Sequence, residues 1–208
     1  MIDYTIADFD SGNIVELSEL HVKAFKGSMN TRMGKKYVKD FIYWFSQNES
    51  CITLKAVEKK RIIGYIVGAP IGYGNKMNRD LLKTGVWGIL THPSILLSKR
   101  FSKTILARFK LLFQTNNKNS DANKFELRGK GISLVGIGVD PAYNGLGIGQ
   151  NLISAFEKKA TQLGMVYMRL SVYDNNLRAI RLYERSGWSR LTNDGKTLYY
   201  YKNISGNL

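Results

Sequence analysis

Two short stretches of the chain combine residue types at spacings that permit chemistry. The first is Val139-Asp140-Pro141-Ala142-Tyr143-Asn144-Gly145-Leu146-Gly147-Ile148-Gly149, which reads as a strand end, a glycine-rich turn and a helix start. Glycines at 145, 147 and 149 let backbone come close to a ligand, and the first amides of a helix point outward with no internal partner. The positive end of the helix dipole adds to them, so an anion is favoured there and a pyrophosphate is the natural guest. A glycine pattern alone is equally compatible with a tight turn that holds nothing. A Rossmann site fits poorly, because the unit comes late in the chain and no acidic residue ends the next strand to meet a ribose. A P-loop is excluded by the lack of a Gly-Lys-Ser/Thr sequence after the turn.

The second stretch runs Asn176-Leu177-Arg178-Ala179-Ile180-Arg181-Leu182-Tyr183-Glu184-Arg185-Ser186-Gly187-Trp188. Asn176 is placed to cap a helix, with Ala179, Ile180 and Tyr183 on one side. A phenol has a reference pKa of about 10 and stays protonated at neutral pH, so Tyr183 is equipped to donate a proton. By itself such a tyrosine is more often a core or surface aromatic. The single cysteine, Cys51, opens an apolar run and reads as a buried small hydrophobe. It permits no intramolecular disulfide and suits a reducing compartment. His21 lies on a predicted helix and reads as structural. No Cys-His nucleophilic pair and no metal-ligand cluster stands out, so no metal is expected.

These stretches need elements to hold them. Asp3 to Ala7 alternates as a short strand, and Asn13 is placed to cap a helix whose apolar positions 14, 17, 20, 24 and 25 recur at helical spacing. A polar connection from Lys26 to Gly34 leads to a second helix through Tyr37, Phe41, Trp44 and Phe45. Ile52–Val57 and Arg61–Val67 form a predicted antiparallel hairpin. Strands are expected at Ile132–Val139 and Met165–Val172, and helices at Gly149–Leu163, ended by Gly164, and Asn176–Ser186. A last hairpin turns at Asn193-Asp194-Gly195. The order is β-α-α-β-β-insertion-β-α-β-α-β-β.

The insertion, about 70–130, is the least ordinary part. Ile95–Phe113 fits a basic amphipathic helix with Leu97, Phe101, Ile105, Phe109, Leu112 and Phe113 on one side, and Thr115–Asn123 is a polar loop. The chain carries 31 basic and 16 acidic residues, a net charge of +15, and no acidic residue lies between Leu81 and Ser120. Such a balance admits a nucleic acid, an anionic membrane surface or a polyanionic small molecule as partner. No recognised nucleic-acid motif or stacking platform accompanies the charge, so nucleic acid is disfavoured. The start lacks a signal-peptide pattern, and no uncharged apolar run reaches the ~18 residues of a membrane span. A cytoplasmic protein is expected. At 208 residues with 44% hydrophobic content, one domain over 1–208 is expected.

The two stretches together resemble the GNAT superfamily of N-acetyltransferases. The first is similar to its Arg/Gln-x-x-Gly-x-Gly/Ala signature, with Asn144, Gly147 and Gly149 in the defined places. The second is similar to its Asn-x-x-Ala-x-x-Leu-Tyr-Glu-x-x-Gly-Phe helix, with Trp188 in place of Phe. The resemblance covers residues 1–69 and 131–203. It implies an α/β GNAT fold: a mixed central β-sheet with a splayed strand pair, flanking helices and, here, the basic helical insertion. The splay opens a cleft for pantetheine, and Gly136 and Gly138 suit the bulge this requires.

The resemblance further implies acetyl-CoA as cosubstrate. Backbone groups of Ile137, Gly138 and Val139 would pair with pantetheine. Amides across Gly145, Leu146, Gly147, Ile148, Gly149 and Gln150 would hold the pyrophosphate, with Asn144 in the signature's first place. Asn176 would contact the cofactor and Tyr183 would face the sulfur as catalytic acid. The expected reaction is direct transfer of acetyl to a primary amine, with a backbone amide near Val139 holding the oxyanion. Two departures stand out. Asn144 replaces a longer side chain, and Ser171 falls where some members have a base carboxylate, which leaves Asp174, Glu126, His21 or a water chain as candidate bases. The stretch His21–Gly34 would border the acceptor. It is also similar to a segment of GNATs associated with surface-polysaccharide synthesis, which implies a small acceptor such as a nucleotide-linked amino sugar, welcomed by Arg32 and Lys35. The alternatives are a protein or peptide acetyltransferase, or a non-catalytic module that binds CoA or nucleic acid. The basic helix packs on the domain, rests on an anionic membrane surface, or covers the acceptor site.

Overall fold

A computed structural model describes residues 2–95 and 129–204. The predicted helix Ile95–Phe113 (beyond its first residue), the polar loop Thr115–Asn123 and Glu126 lie outside the described residues.

Seven strands form one mixed sheet: β1 (Thr5–Asp8), β2 (Ile52–Glu58), β3 (Arg61–Pro70), β4 (Gly131–Val139), β5 (Tyr167–Tyr173), β6 (Ser189–Asn193) and β7 (Thr197–Asn203). They lie in the order β1-β2-β3-β4-β5-β7-β6. All pairs are antiparallel except β4–β5, which is parallel. Apolar residues cover both faces. Ile62, Tyr65, Val67 and Ala69 of β3 pack towards α1 (Ile14–Ala24), α2 (Met29–Arg32) and α3 (Lys35–Ser46). Ile63 and Ile66 pack on the other side, with Leu152 and Phe156, against α6 (Ile148–Gln162) and α7 (Leu177–Arg185). The expected fold is therefore the observed one.

Several local expectations change. Asn13 was expected to cap α1, but its side chain makes no capping bond there. Its Oδ1 accepts instead from the Asp10 amide at 3.2 Å and from Lys55 Nζ at 2.7 Å. The connection Lys26–Gly34 is not all loop: Ser28 caps the single turn α2, its Oγ accepting from the Thr31 amide. Two helices precede the undescribed segment, α4 (Tyr73–Asp80) and α5 (Leu82–Thr91). Glycines at 74, 85 and 88 obscure them, since glycine disfavours a helix interior. At Gly88 a Cβ would lie 2.7 Å from the Met33 carbonyl oxygen, so the glycine lets α5 press directly onto the end of α2. Trp44 Nε1 donates to Asp80 and Thr84 to Asp40, which ties this segment to α3.

The sheet forks in its centre. The β4–β5 ladder holds three residue pairs, Gly131 with Tyr167, Ile132 with Met168 and Ser133 with Arg169. Beyond them β4 continues to Val139 paired to β3 alone, while β5 continues to Tyr173 paired to β7 alone. The β3–β4 register slips between Val67, opposite Gly136, and Gly68, opposite Leu134, so Val135 is the extra residue of a bulge next to Gly136. Leu134 to Val139 thus present backbone towards β5 with no strand to receive it.

Candidate active site

The glycine turn stands at the open end of the fork. After β4, Asp140 caps a single 3-10 turn, Pro141–Tyr143, its Oδ1 accepting from the Ala142 amide at 3.1 Å. Asp140 is buried and its other oxygen accepts from Arg61 Nη2 at 2.8 Å. Tyr143 donates to Glu58 at 2.7 Å. Two side chains of the β2–β3 hairpin therefore hold the turn, a latch whose only visible trace in the sequence is Asp140 before proline.

Gly145 and Gly147 have φ of +82° and +78°, and a Cβ at either would meet nothing within 4 Å. Their glycine requirement is conformational, because an L-residue is strained in this region. The reversals set up α6, so that Ile148, Gly149 and Gln150 occupy its first turn and their amides face outward. Gly149 differs: a Cβ there would sit 3.2 Å from Leu182, so its lack of a side chain serves the approach of α7. Leu146 is exposed at the tip. Asn144 Oδ1 accepts a hydrogen bond from Arg178 of α7, which brings a guanidinium beside the turn. Arg178 was missed in the sequence, although it lies two residues after Asn176.

Asn176 caps α7 through Oδ1, which accepts from the Ala179 amide at 3.3 Å. Two turns on, Tyr183 is buried, its ring 6.1 Å from Trp188 and 6.3 Å from Tyr200. Burial pushes its pKa well above the ordinary phenol value. Its hydroxyl makes no hydrogen bond to another described residue. The ring is thus fixed while its proton is retained and uncommitted, which suits a donor. Ile137, Gly138 and Val139 lie on the unpaired stretch of β4. At Gly138 a Cβ would meet Tyr65 at 2.9 Å and Phe25 at 3.0 Å, so glycine allows the end of α1 to close on the strand.

The candidate bases among the described residues are not brought together. Ser171 is exposed on β5, and Asp174 is exposed beyond it, its amide donating to the Lys196 carbonyl. His21 is buried, shares a 2.5 Å hydrogen bond between Nδ1 and Tyr65 Oη, and stacks 4.6 Å from Phe25. Burial lowers its pKa to about 4, which makes it a poor proton acceptor. Its Nε2 is buried without a partner among the described residues. Arg32 ends α2 and Lys35 begins α3, both exposed on the connection thought to border the acceptor. Burial pushes the Cys51 thiol up to about 11, in keeping with a packing role. Among the described residues no group of three His, Cys, Asp or Glu side chains could hold a metal ion, and no helix is long and apolar enough to cross a membrane.

Residues 107–188 match the model of the acetyltransferase (GNAT) family. Among solved structures, the chain is similar to the PaiA N-acetyltransferase of Thermoplasma acidophilum in complex with coenzyme A. The TM-score is 0.61 at 15% identity, over 97% of this chain and 99% of that one. It is also similar to the ribosomal-protein-S18-alanine N-acetyltransferase of Escherichia coli, with TM-score 0.59, 15% identity and 99% of each chain covered. A third is the polyamine N-acetyltransferase of Drosophila melanogaster, with TM-score 0.61, 16% identity, and 97% and 100% covered. At these identities the structures speak for the fold. No curated protein matches the chain. Family match and fold agree on the class: residues 107–188 match the GNAT acetyltransferase family, the sheet is the fold of solved GNAT N-acetyltransferases, and the two support an acyltransferase that uses acetyl-CoA.

Proposed function

We propose that the protein transfers acetyl from acetyl-CoA directly to a primary amine of a small molecule, such as a nucleotide-linked amino sugar. The observation that carries this reading is the fork. An unpaired run of β4 leads from the bulge at Val135 to the outward amides of α6, with Tyr183 on the neighbouring helix. Pantetheine would lie along Ile137 to Val139, and the pyrophosphate would meet the amides from Gly145 to Gln150, helped by Arg178 and Asn176. The amine attacks the thioester carbonyl, a backbone amide near Val139 supports the oxyanion, and the Tyr183 phenol protonates the departing thiolate. Arg32 and Lys35 would attract an anionic acceptor. The 208 residues act as one unit in the cytoplasm.

A protein N-terminus is the second reading, favoured by the likeness to an enzyme whose name specifies a ribosomal-protein alanine. Thiol release from acetyl-CoA across a panel of amino sugars, nucleotide-linked amino sugars, small amines and peptides tests both. Turnover confined to small amines is expected. Turnover confined to peptides selects the second reading, and no turnover with retained CoA binding leaves a binding module.

A further inference from the structure

Among the described residues, Arg169 is a charge without a visible counter-charge at the fork. It sits opposite Ser133 in the last paired position before β4 and β5 diverge. Met168 and Leu170 point into the core beside α6, so Arg169 belongs to the opposite face, the one covered by α1, α3 and α4. Its Nε donates to Ser133 Oγ at 3.2 Å. That bond orients the planar group and leaves both terminal nitrogens without a hydrogen bond to the described residues. No Asp or Glu occurs in β4, β5 or β7. Two carboxylates on the helices of this face are already occupied, Asp80 of α4 by Trp44 and Asp40 of α3 by Thr84 and Lys36. The ion pairs of the described residues do not include Arg169.

Around it stand two phenols. Tyr167 shares its strand face, and the Tyr167 ring lies so close over Gly131 that a Cβ there would be 2.2 Å from Cζ. Tyr73 opens α4 and packs at 6.4 Å against Trp44. Burial pulls the Arg169 pKa down, and the nearby Tyr167 and Tyr73 offset part of that. A half-buried guanidinium loses hydration and regains it only through an anion or a set of acceptors. Its terminal nitrogens form the fork that matches a carboxylate or phosphate in two parallel bonds.

We propose that Arg169, oriented by Ser133 and flanked by Tyr73 and Tyr167, binds an anionic group of the acceptor, a carboxylate or a phosphate. This rests on the acetyl-transfer reading above, and makes Arg169 a specificity-determining residue of that site. The acceptor is an amine that carries an anion a few bonds from its nitrogen.

Two matched acceptor pairs distinguish the sources: β-alanine against β-alaninamide for a carboxylate, and phosphoethanolamine against ethanolamine for a phosphate. With the wild-type protein, at least one anionic member should exceed its neutral partner about tenfold in kcat/KM. Arg169→Gln should abolish that preference by raising KM for the anionic amine, with KM for acetyl-CoA within about twofold. Arg169→Lys should retain part of it, and a thermal melt of each variant reports folding. Equal use of both members of each pair, or a preference that survives Arg169→Gln, overturns the proposal and leaves acetyl transfer standing. If no amine releases thiol, the transfer reading fails instead. Calorimetric titration of the CoA-bound protein with propionate and with inorganic phosphate then decides: binding lost in Arg169→Gln sustains the anion site, and no binding in the wild type removes it.

Discussion

The two sides of the fork are built from different material. The α6 side is made of main chain: two glycines at positive φ, outward amides and an unpaired strand edge. The side facing α1, α3 and α4 is made of side chains, with Arg169, Ser133, Tyr167, Tyr73 and His21 each held by packing or a hydrogen bond. In the proposed reading, main chain would recognise what every acyl-CoA shares, with its geometry fixed by a few glycines. Side chains would choose among amines, and a change in them would leave the donor half undisturbed. The contrast explains why the family is legible here while the acceptor is not.

Four measurements test whether the two sides act as separate halves. Tyr183→Phe removes the proposed acid without emptying the core, and should lower kcat about 100-fold with little change in KM for acetyl-CoA; unchanged turnover removes Tyr183 from the chemistry. The second concerns His21, whose pKa is lowered to about 4 in the fold against an ordinary 6.5. The unfolded chain then binds the proton more readily, so stability is complete above about pH 6.5 and lost as pH falls towards 4. Urea denaturation at pH 7.5 and 5 should differ by about 2 kcal/mol more in the wild type than in His21→Gln. Equal pH dependence in the two would mean the ring titrates normally. Third, Gly147→Ala adds a methyl to open space, so strain alone operates, about 1 kcal/mol. It should weaken CoA binding about tenfold by calorimetry, and a null result would detach the turn from the cofactor. Last, Arg61→Gln loosens the latch on Asp140. It should raise KM for acetyl-CoA about twofold while the preference among amines stays fixed; a shift in that preference would show the two halves to be coupled.

The glycine turn and the capped helix α7 were legible in advance because their determinants are local. Glycine spacing reports backbone reversals, and Asn176 sits next to the helix it caps. The fork, the bulge at Val135 and the Arg61–Asp140 latch depend on pairing between segments far apart, which one strand's residues do not announce. Helices α4 and α5 were hidden by their internal glycines, and the reason for Gly88 lies in Met33, 55 positions earlier. Asn13 looked like a cap until Lys55 and the Asp10 amide claimed its oxygen. Arg169 is an ordinary residue in an apolar strand. That the strands beside it carry no acid becomes evident only once their pairing is known.

The three-pair ladder between β4 and β5 has a mechanical consequence. The strands of β1 to β4 and those of β5, β7 and β6 are each tied together by long antiparallel ladders, while the seam between them is short. Such a seam is where a sheet opens without melting. A cofactor that spans it acts as a rivet, converting its affinity into cohesion between the halves. Hydrogen exchange at Leu134 to Val139 should therefore slow more than exchange anywhere in β2 when CoA is added.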